Sequence, residues 1–260
     1  MTNLSKSINL KSHPLDDPNY INLCKKKITQ NSILILKKFL TNDSLNELRL
    51  EALKLEKKAF YCSQNHTILL TKPSESFNSD DPLNTSVVSD KGCVPHDLIK
   101  KNSKLNVIYK SAIFKNFLKK VLNLKFLYPY SDTLSSINYN YYQKTQQLGW
   151  HFDNASFAIT LMIQSAETGG DFEYVSKGRD FNNNYIDKQY LTKILNSSIK
   201  PKKINANAGT LVLFYGRNYL HRVTPVTSKK PRILVTLNYN EEKGIKLSEN
   251  ARLTFFGRVN

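Results

Sequence analysis

Residues 149–161 read GWHFDNASFAITL, and within them His151 and Asp153 stand one residue apart, just ahead of an alternating run. On extended backbone, residues two apart project to the same face. An imidazole and a carboxylate therefore share one side of a strand, beside Trp150, the chain's single tryptophan. An HxD pair alone is a weak signal, because an isolated histidine is more often a satisfied structural residue than a ligand. The weight comes from what lies downstream.

His221 opens the stretch HRVTPV, and Arg232 follows inside PRILVTLNYN. Two imidazoles and one carboxylate on a β scaffold match the facial ligand set of non-haem Fe(II) oxygenases, which leaves coordination positions open. The planar fork of an arginine suits bidentate capture of a carboxylate. A zinc hydrolase using the same three ligands is the competing metal reading. His13, His66 and His96 fall in contexts that read as surface or packing, and Asp132 reads as an ordinary turn residue.

From about residue 126 the apolar period is two. TLSSINYNYY, ASFAITLMIQ, DFEYV, TLVLFY, HRVTPV and RILVTLNYNE read as short strands rich in aromatic and β-branched residues. This pattern predicts a sandwich or barrel. NYIDKQYLTKILN (184–196) interrupts it as a helical insertion. Upstream, SILILKKFL (32–40) reads as a buried strand, and residues 41–61 as a helix with Thr, Asn and Asp available as caps. Residues 96–123 have the spacing of two helices, and 73–96 carry turn chemistry that predicts a long loop, a candidate lid. The first twenty-odd residues read as polar and loosely ordered. The expectation is an α+β fold organised as one integrated unit. In it a mostly helical support region (1–125), with one strand and a long loop, backs a double-stranded β barrel of the jelly-roll, cupin-like kind (126–260).

A formal net charge of +17 raises a nucleic-acid partner. Yet the basic residues are 31 Lys and only 7 Arg, scattered along the chain, so a nucleic-acid-binding module is the weaker reading. Cys24, Cys62 and Cys93 lack CxxC spacing and read as reduced thiols. There is neither an eighteen-residue apolar run nor an apolar signal core, which predicts a cytoplasmic protein with no membrane association. The sequence leaves the oligomeric state open.

The stretches GWHFDN, AITLMIQ…TGGDFEYV, NAGTLVLFYGRNYLHRVTPV and KPRILVTLNYNE resemble the iron(II)/2-oxoglutarate-dependent dioxygenases over about residues 130–242. Within them the chain looks like the group that hydroxylates or halogenates free amino acids without a carrier protein. The resemblance implies a double-stranded β-helix holding Fe(II) through His151, Asp153 and His221. It also implies 2-oxoglutarate gripped at its far carboxylate by Arg232, with O2 as the further cosubstrate and succinate and carbon dioxide as products. Halogenating members carry a small residue where Asp153 stands, so the resemblance implies hydroxylation. A nucleic-acid-demethylating branch would show a second arginine in an R-x-N-x-T-x-R stretch, which PRILVTLNYN lacks.

Strand parity from Arg232 turns Leu234, Thr236 and Asn238 the same way, making Thr236 and Asn238 candidate substrate contacts. Asn154 and Trp150 are candidates through their place beside the ligand pair, and Thr224 is a candidate neighbour of the cosubstrate. Arg222 should point away from the metal. The carboxylate clamp that a free amino acid needs is expected from 73–96 or its flanks, with lysine the first substrate candidate. A prolyl-type hydroxylase acting on a protein side chain is the alternative within the same chemistry.

Overall fold

The computed structural model describes residues 4–260. In chain order its elements begin with α1 (Pro18–Asn31), β1 (Ile33–Leu36), α2 (Asn42–Leu55), β2 (Phe60–Thr67), β3 (Ser86–Val94), α3 (Lys104–Lys110) and α4 (Ala112–Val121). There follow β4 (Tyr128–Pro129), β5 (Ile137–Tyr142), β6 (Leu148–His151), β7 (Ala158–Gln164), β8 (Phe172–Lys177), β9 (Arg179–Asp180) and β10 (Tyr185–Ile186). The last are α5 (Lys188–Leu195), β11 (Lys202–Ile204), β12 (Leu211–Phe214), β13 (Tyr219–Val223), β14 (Arg232–Leu237), β15 (Tyr239–Asn240) and α6 (Glu249–Phe256).

The main sheet runs β1-β12-β7-β14-β5-β3-β6-β13-β8-β11, with β2 paired to β3 off this path, and every pairing in it is antiparallel. It curls on itself as a jelly roll, so the half from β1 to β5 faces the half from β6 to β11. Period two then sorts the side chains. On β14, Ile233, Val235 and Leu237 enter the core beneath the helices, while Arg232, Leu234 and Thr236 face the interior cavity. On β5, Tyr139 and Tyr141 point outward, and their hydroxyls donate to the carbonyls of Leu48 and Ala52 on α2 at 3.4 and 2.8 Å. Asn140 and Tyr142 point inward. All six residues of β5 are buried because both faces of the strand are covered.

The helical layer starts where the sequence places caps. Thr41 accepts from the Ser44 N–H at the start of α2, and Ser111 caps α4 through the Phe114 N–H. The insertion is α5, capped by Asp187 and preceded by the β9–β10 pair, and its Leu191 and Ile194 cover the outer face of β6, β8 and β13.

Three expectations change. Residues 86–94 form β3, not loop: paired with β2 from Phe60↔Cys93 to Thr67↔Ser86, they carry no apolar alternation because the strand presents Ser89 and Lys91 to the cavity. The N-terminal third accordingly supplies three strands to the main sheet, not one. The first residues are also tied down. Ile8 and Leu15 are fully buried and Ile8 bridges to Leu40, while residues 1–3 lie outside the described residues. Among the described residues no helix is long and apolar enough to cross a membrane, and the three cysteines are unpaired.

Candidate functional site

β6 ends at His151, and its pairing with β13 slips between His221↔His151 and Val223↔Leu148. The extra residue is a bulge, and it turns Leu148 and His151 to the same interior side. Gly149 sits inside it, where a Cβ would lie 2.7 Å from the Val88 carbonyl, so only glycine lets β3 approach this closely. Past the strand end, the Phe152 N–H donates to Ile68 and the Asp153 N–H to Gly216. These bonds send Phe152 outward into the core under α5 and keep Asp153 facing in.

His151, Asp153 and His221 bring one ligand atom each to within 4.8 Å of one another. Asp153 Oδ1 is 3.5 Å from Nε2 of each histidine. His151 Nδ1 lies 2.8 Å from the Gly149 carbonyl and His221 Nδ1 lies 2.9 Å from that of Tyr219. A carbonyl only accepts, so each Nδ1 carries a proton and each Nε2 is left with a lone pair beside the Asp153 carboxylate, an arrangement of three acceptors that a shared cation would satisfy. Burial, and then the neighbouring His221, lower the pKa of His151 and favour the neutral ring that a metal requires. At Asp153 burial acts upward, but His221 and His151 outweigh it and hold the carboxyl far below the usual range.

These residues fit a divalent metal with a carboxylate cosubstrate. Three buried atoms in the site lack a protein partner: Asp153 Oδ2, Arg232 Nε and Arg232 Nη1. Arg232 is 3% exposed, lies 5.2 Å from the Tyr142 ring centre, and has Gly170 against it, where a Cβ would fall 3.1 Å from its Cδ. A buried guanidinium with two unsatisfied nitrogens is costly unless a carboxylate meets it. The cavity joining Arg232 to the triad measures about 270 Å³ and is mostly apolar, with Met162, Phe172, Phe214 and Leu234 among its walls.

Other sequence candidates separate by position. Thr236 lines the cavity. Asn238 does not: it lies beyond the end of β14, and its amide donates to the Ser135 carbonyl and to Asn138. Trp150 faces outward among Phe152, Leu191 and Leu220, with Arg222 stacked on it at 4.6 Å, because its strand neighbour His151 points inward. Arg222 pairs with Glu173, away from the His151/Asp153/His221 cluster. The side chain of Asn154 is exposed, and its carbonyl accepts two bonds from Arg217. The Thr224 hydroxyl accepts from the Asp171 N–H outside the cavity lining.

Sequence reasoning missed four residues. His66 lines the cavity and bonds Ser89 at 2.6 Å, and Ser89 in turn accepts from the Gly149 N–H, supporting the bulge behind His151. Lys91 enters the cavity from β3. Gly216 presses on Asp153, and Phe255 of α6 closes one wall. Alternation of Gln64, His66, Ser89 and Lys91 was a signal, but it requires β2 and β3 to be recognised as strands.

A family model described as Halogenase D matches residues 17–251. No curated protein matches the sequence. Among solved structures, an oxidoreductase of the 2OG-Fe(II) oxygenase family from Burkholderia pseudomallei is 12% identical, with a TM-score of 0.53 over 87% of this chain and 93% of that one. The non-heme alpha ketoglutarate dependent epimerase SnoN of nogalamycin biosynthesis is 10% identical with a TM-score of 0.58, covering 86% and 82%. A Pseudomonas putida prolyl-4-hydroxylase is 11% identical with a TM-score of 0.52, covering 83% and 96%. At these identities the solved structures speak for the fold.

Proposed function

The chain belongs to the Halogenase D family, and from that premise we propose that it is an Fe(II)- and 2-oxoglutarate-dependent hydroxylase of a free amino acid. The observation that carries this reading is the clustered His151/Asp153/His221 face, which shares one cavity with the buried Arg232, whose Nε and Nη1 have no protein partner. His151, Asp153 and His221 would hold the iron, and Arg232 the far carboxylate of 2-oxoglutarate. Iron with 2-oxoglutarate supplies, when bound, the activation of O2 for attack on an unactivated C–H bond, giving succinate and carbon dioxide.

The protein's own part is positional. The carbonyls of Gly149 and Tyr219 fix both imidazoles, Gly216 leaves room for the Asp153 carboxylate, and the apolar walls exclude water. A carboxylate at position 153 completes the ligand face, which supports hydroxylation over halogenation. Closure by Phe255 and Leu70 and the size of the cavity support a small free substrate over a polypeptide segment, which needs an open groove.

The test is succinate formation with Fe(II), 2-oxoglutarate and each of the common amino acids, with products analysed in the presence of chloride. At least one amino acid should stimulate turnover and leave as a hydroxylated product. His151→Ala should lose metal binding and turnover together, and Arg232→Met should raise the KM for 2-oxoglutarate. Absence of amino-acid-stimulated turnover, or a chlorinated product, would refute the reading.

A further inference from the structure

Lys91 is the one cation in the cavity with no part in holding iron or cosubstrate. It projects from β3 into the same space as the triad and Arg232. Its ammonium donates to Asn140 Oδ1 at 2.8 Å and lies 4.9 Å from the ring centre of Phe255. An ammonium has three donors. Here one meets a neutral amide, and among the described residues no carboxylate stands within ion-pair distance of it. Asn140 is itself held in place, its amide donating to the Asn138 carbonyl at 3.2 Å, so the lysine has a fixed perch.

The balance of charge around the cavity is equally specific. Lys91 and Arg232 are its two fixed cations, and Asp153 is the only acidic residue in its lining. Asp153 is committed to the histidines and the metal. A substrate bearing a second ammonium on its side chain would therefore find no carboxylate in the lining free to pair with it, and burying an unpaired charge is costly. Leu70, Leu148, Met162 and Leu234 offer apolar surface instead.

We propose that Lys91 is the clamp for the carboxylate of the substrate, and that the cavity selects an amino acid with an uncharged, mainly aliphatic side chain over lysine or ornithine. This rests on the hydroxylase reading above and replaces lysine as the first candidate. It also assigns the carboxylate clamp to a residue within 73–96, on a strand instead of a mobile lid.

The test compares leucine, isoleucine, methionine and glutamine with lysine and ornithine. One arm is calorimetric binding to the Mn(II)- and 2-oxoglutarate-loaded protein, and the other is amino-acid-stimulated succinate formation with Fe(II). The uncharged group should bind and turn over with kcat/KM about tenfold or more above the basic pair. Lys91→Met should raise the KM for the preferred amino acid about tenfold while the KM for 2-oxoglutarate stays within about twofold, and Lys91→Arg should recover much of the loss. Melting curves of both variants establish that they are folded. Preference for lysine or ornithine, an unchanged amino-acid KM in Lys91→Met, or a rise confined to the 2-oxoglutarate KM would each overturn the proposal. Such failures are separable from failure of the functional reading, in which no amino acid at all stimulates iron-dependent succinate formation.

Discussion

Replacing Gly216 by alanine should dismantle the proposed metal face without altering His151, Asp153 or His221. A Cβ at this position would lie 1.8 Å from Asp153 Oδ2, 2.5 Å from its Cγ and 2.9 Å from His221 Cε1. All three separations are shorter than real contacts allow, so the carboxylate must rotate away. Gly216 is not among the residues of positive φ, so alanine suits its backbone and the strain falls on the side chains facing it. Inserting a methyl group into filled space costs about 1–3 kcal/mol. The Asp153 side chain borders a cavity into which it can turn, which places the stability loss near the lower end. The larger effect is on the metal. Disturbing groups that orient metal ligands costs about 10–100-fold in affinity, and displacing a ligand outright belongs at the upper end, about 2.7 kcal/mol. Calorimetric titration of Mn(II) into the wild type and Gly216→Ala, with thermal unfolding in parallel, measures both terms. Gly178→Ala is the control, since its Cβ would meet only the Leu191 and Tyr190 side chains at 3.3 Å or more. Metal affinity in Gly216→Ala within about threefold of wild type would refute the reasoning, because Asp153 would then either not bind the metal or not depend on this glycine.

Two further expectations concern the scaffold. The buried Asp132 carboxylate accepts from the N–H groups of Leu134, Ser135 and Leu247 and from the Ser135 hydroxyl, tying the segment before α6 to the start of β5. Burial acts to raise its pKa, but these donors prevail and hold it below the ordinary carboxylate value, so its contribution to stability is present above that value and lost as the pH falls through the folded one. Asp132→Asn should cost about 1.5–3 kcal/mol in urea unfolding at neutral pH, and a loss below about 0.5 kcal/mol would contradict the anchoring role. His13 is held neutral between the Tyr20 hydroxyl and the Lys37 carbonyl, and burial lowers its pKa from 6.5. The unfolded chain therefore binds more protons below 6.5, and stability should fall as the pH drops from neutral through that value. The urea midpoint should show a shallower pH slope in His13→Gln, and an unchanged slope would exclude His13 as a source.

How much of this was legible depended on whether a residue's surroundings are local. HxD, the later histidine and Arg232 announce themselves because a candidate chelating face demands particular residue types at positions set by strand geometry, and the structure does bring the three ligand atoms together. The strands of the second half were legible because one face of each is apolar. The strand β3 was not, since SVVSDKGCV turns Ser89 and Lys91 into the cavity and Gly92 interrupts it, so its period is masked by the very residues that furnish the site. Parity from Arg232 reached Thr236 but failed at Asn238, where β14 has ended and the amide serves the Ser135 carbonyl. Trp150 was misplaced although period two already turns it away from its neighbour His151, whereas Leu148 enters the cavity through a bulge in β6 that exists only in the register against β13.

The relation between Asp153 and Gly216 bears on the chemistry itself. A family described by its halogenases invites the same activity for any member, yet the space beside the two histidines in this chain is not left open. Asp153 Oδ2 lies so close to Gly216 that even a methyl group at that position is excluded. The glycine and the carboxylate are thus fitted to one another, and both imidazoles are oriented by backbone carbonyls to point at the same oxygen. A small residue at 153 would leave a void lined by Gly216 and His221, an environment able to admit an exogenous anion. With aspartate there, the anion of the ligand face is covalently part of the chain. Exchange of a halide into that position would require the carboxylate to leave a site whose space, beside Gly216 and between the two imidazoles, it already fills. That is the physical ground for expecting a hydroxyl group, not a halogen, on the product.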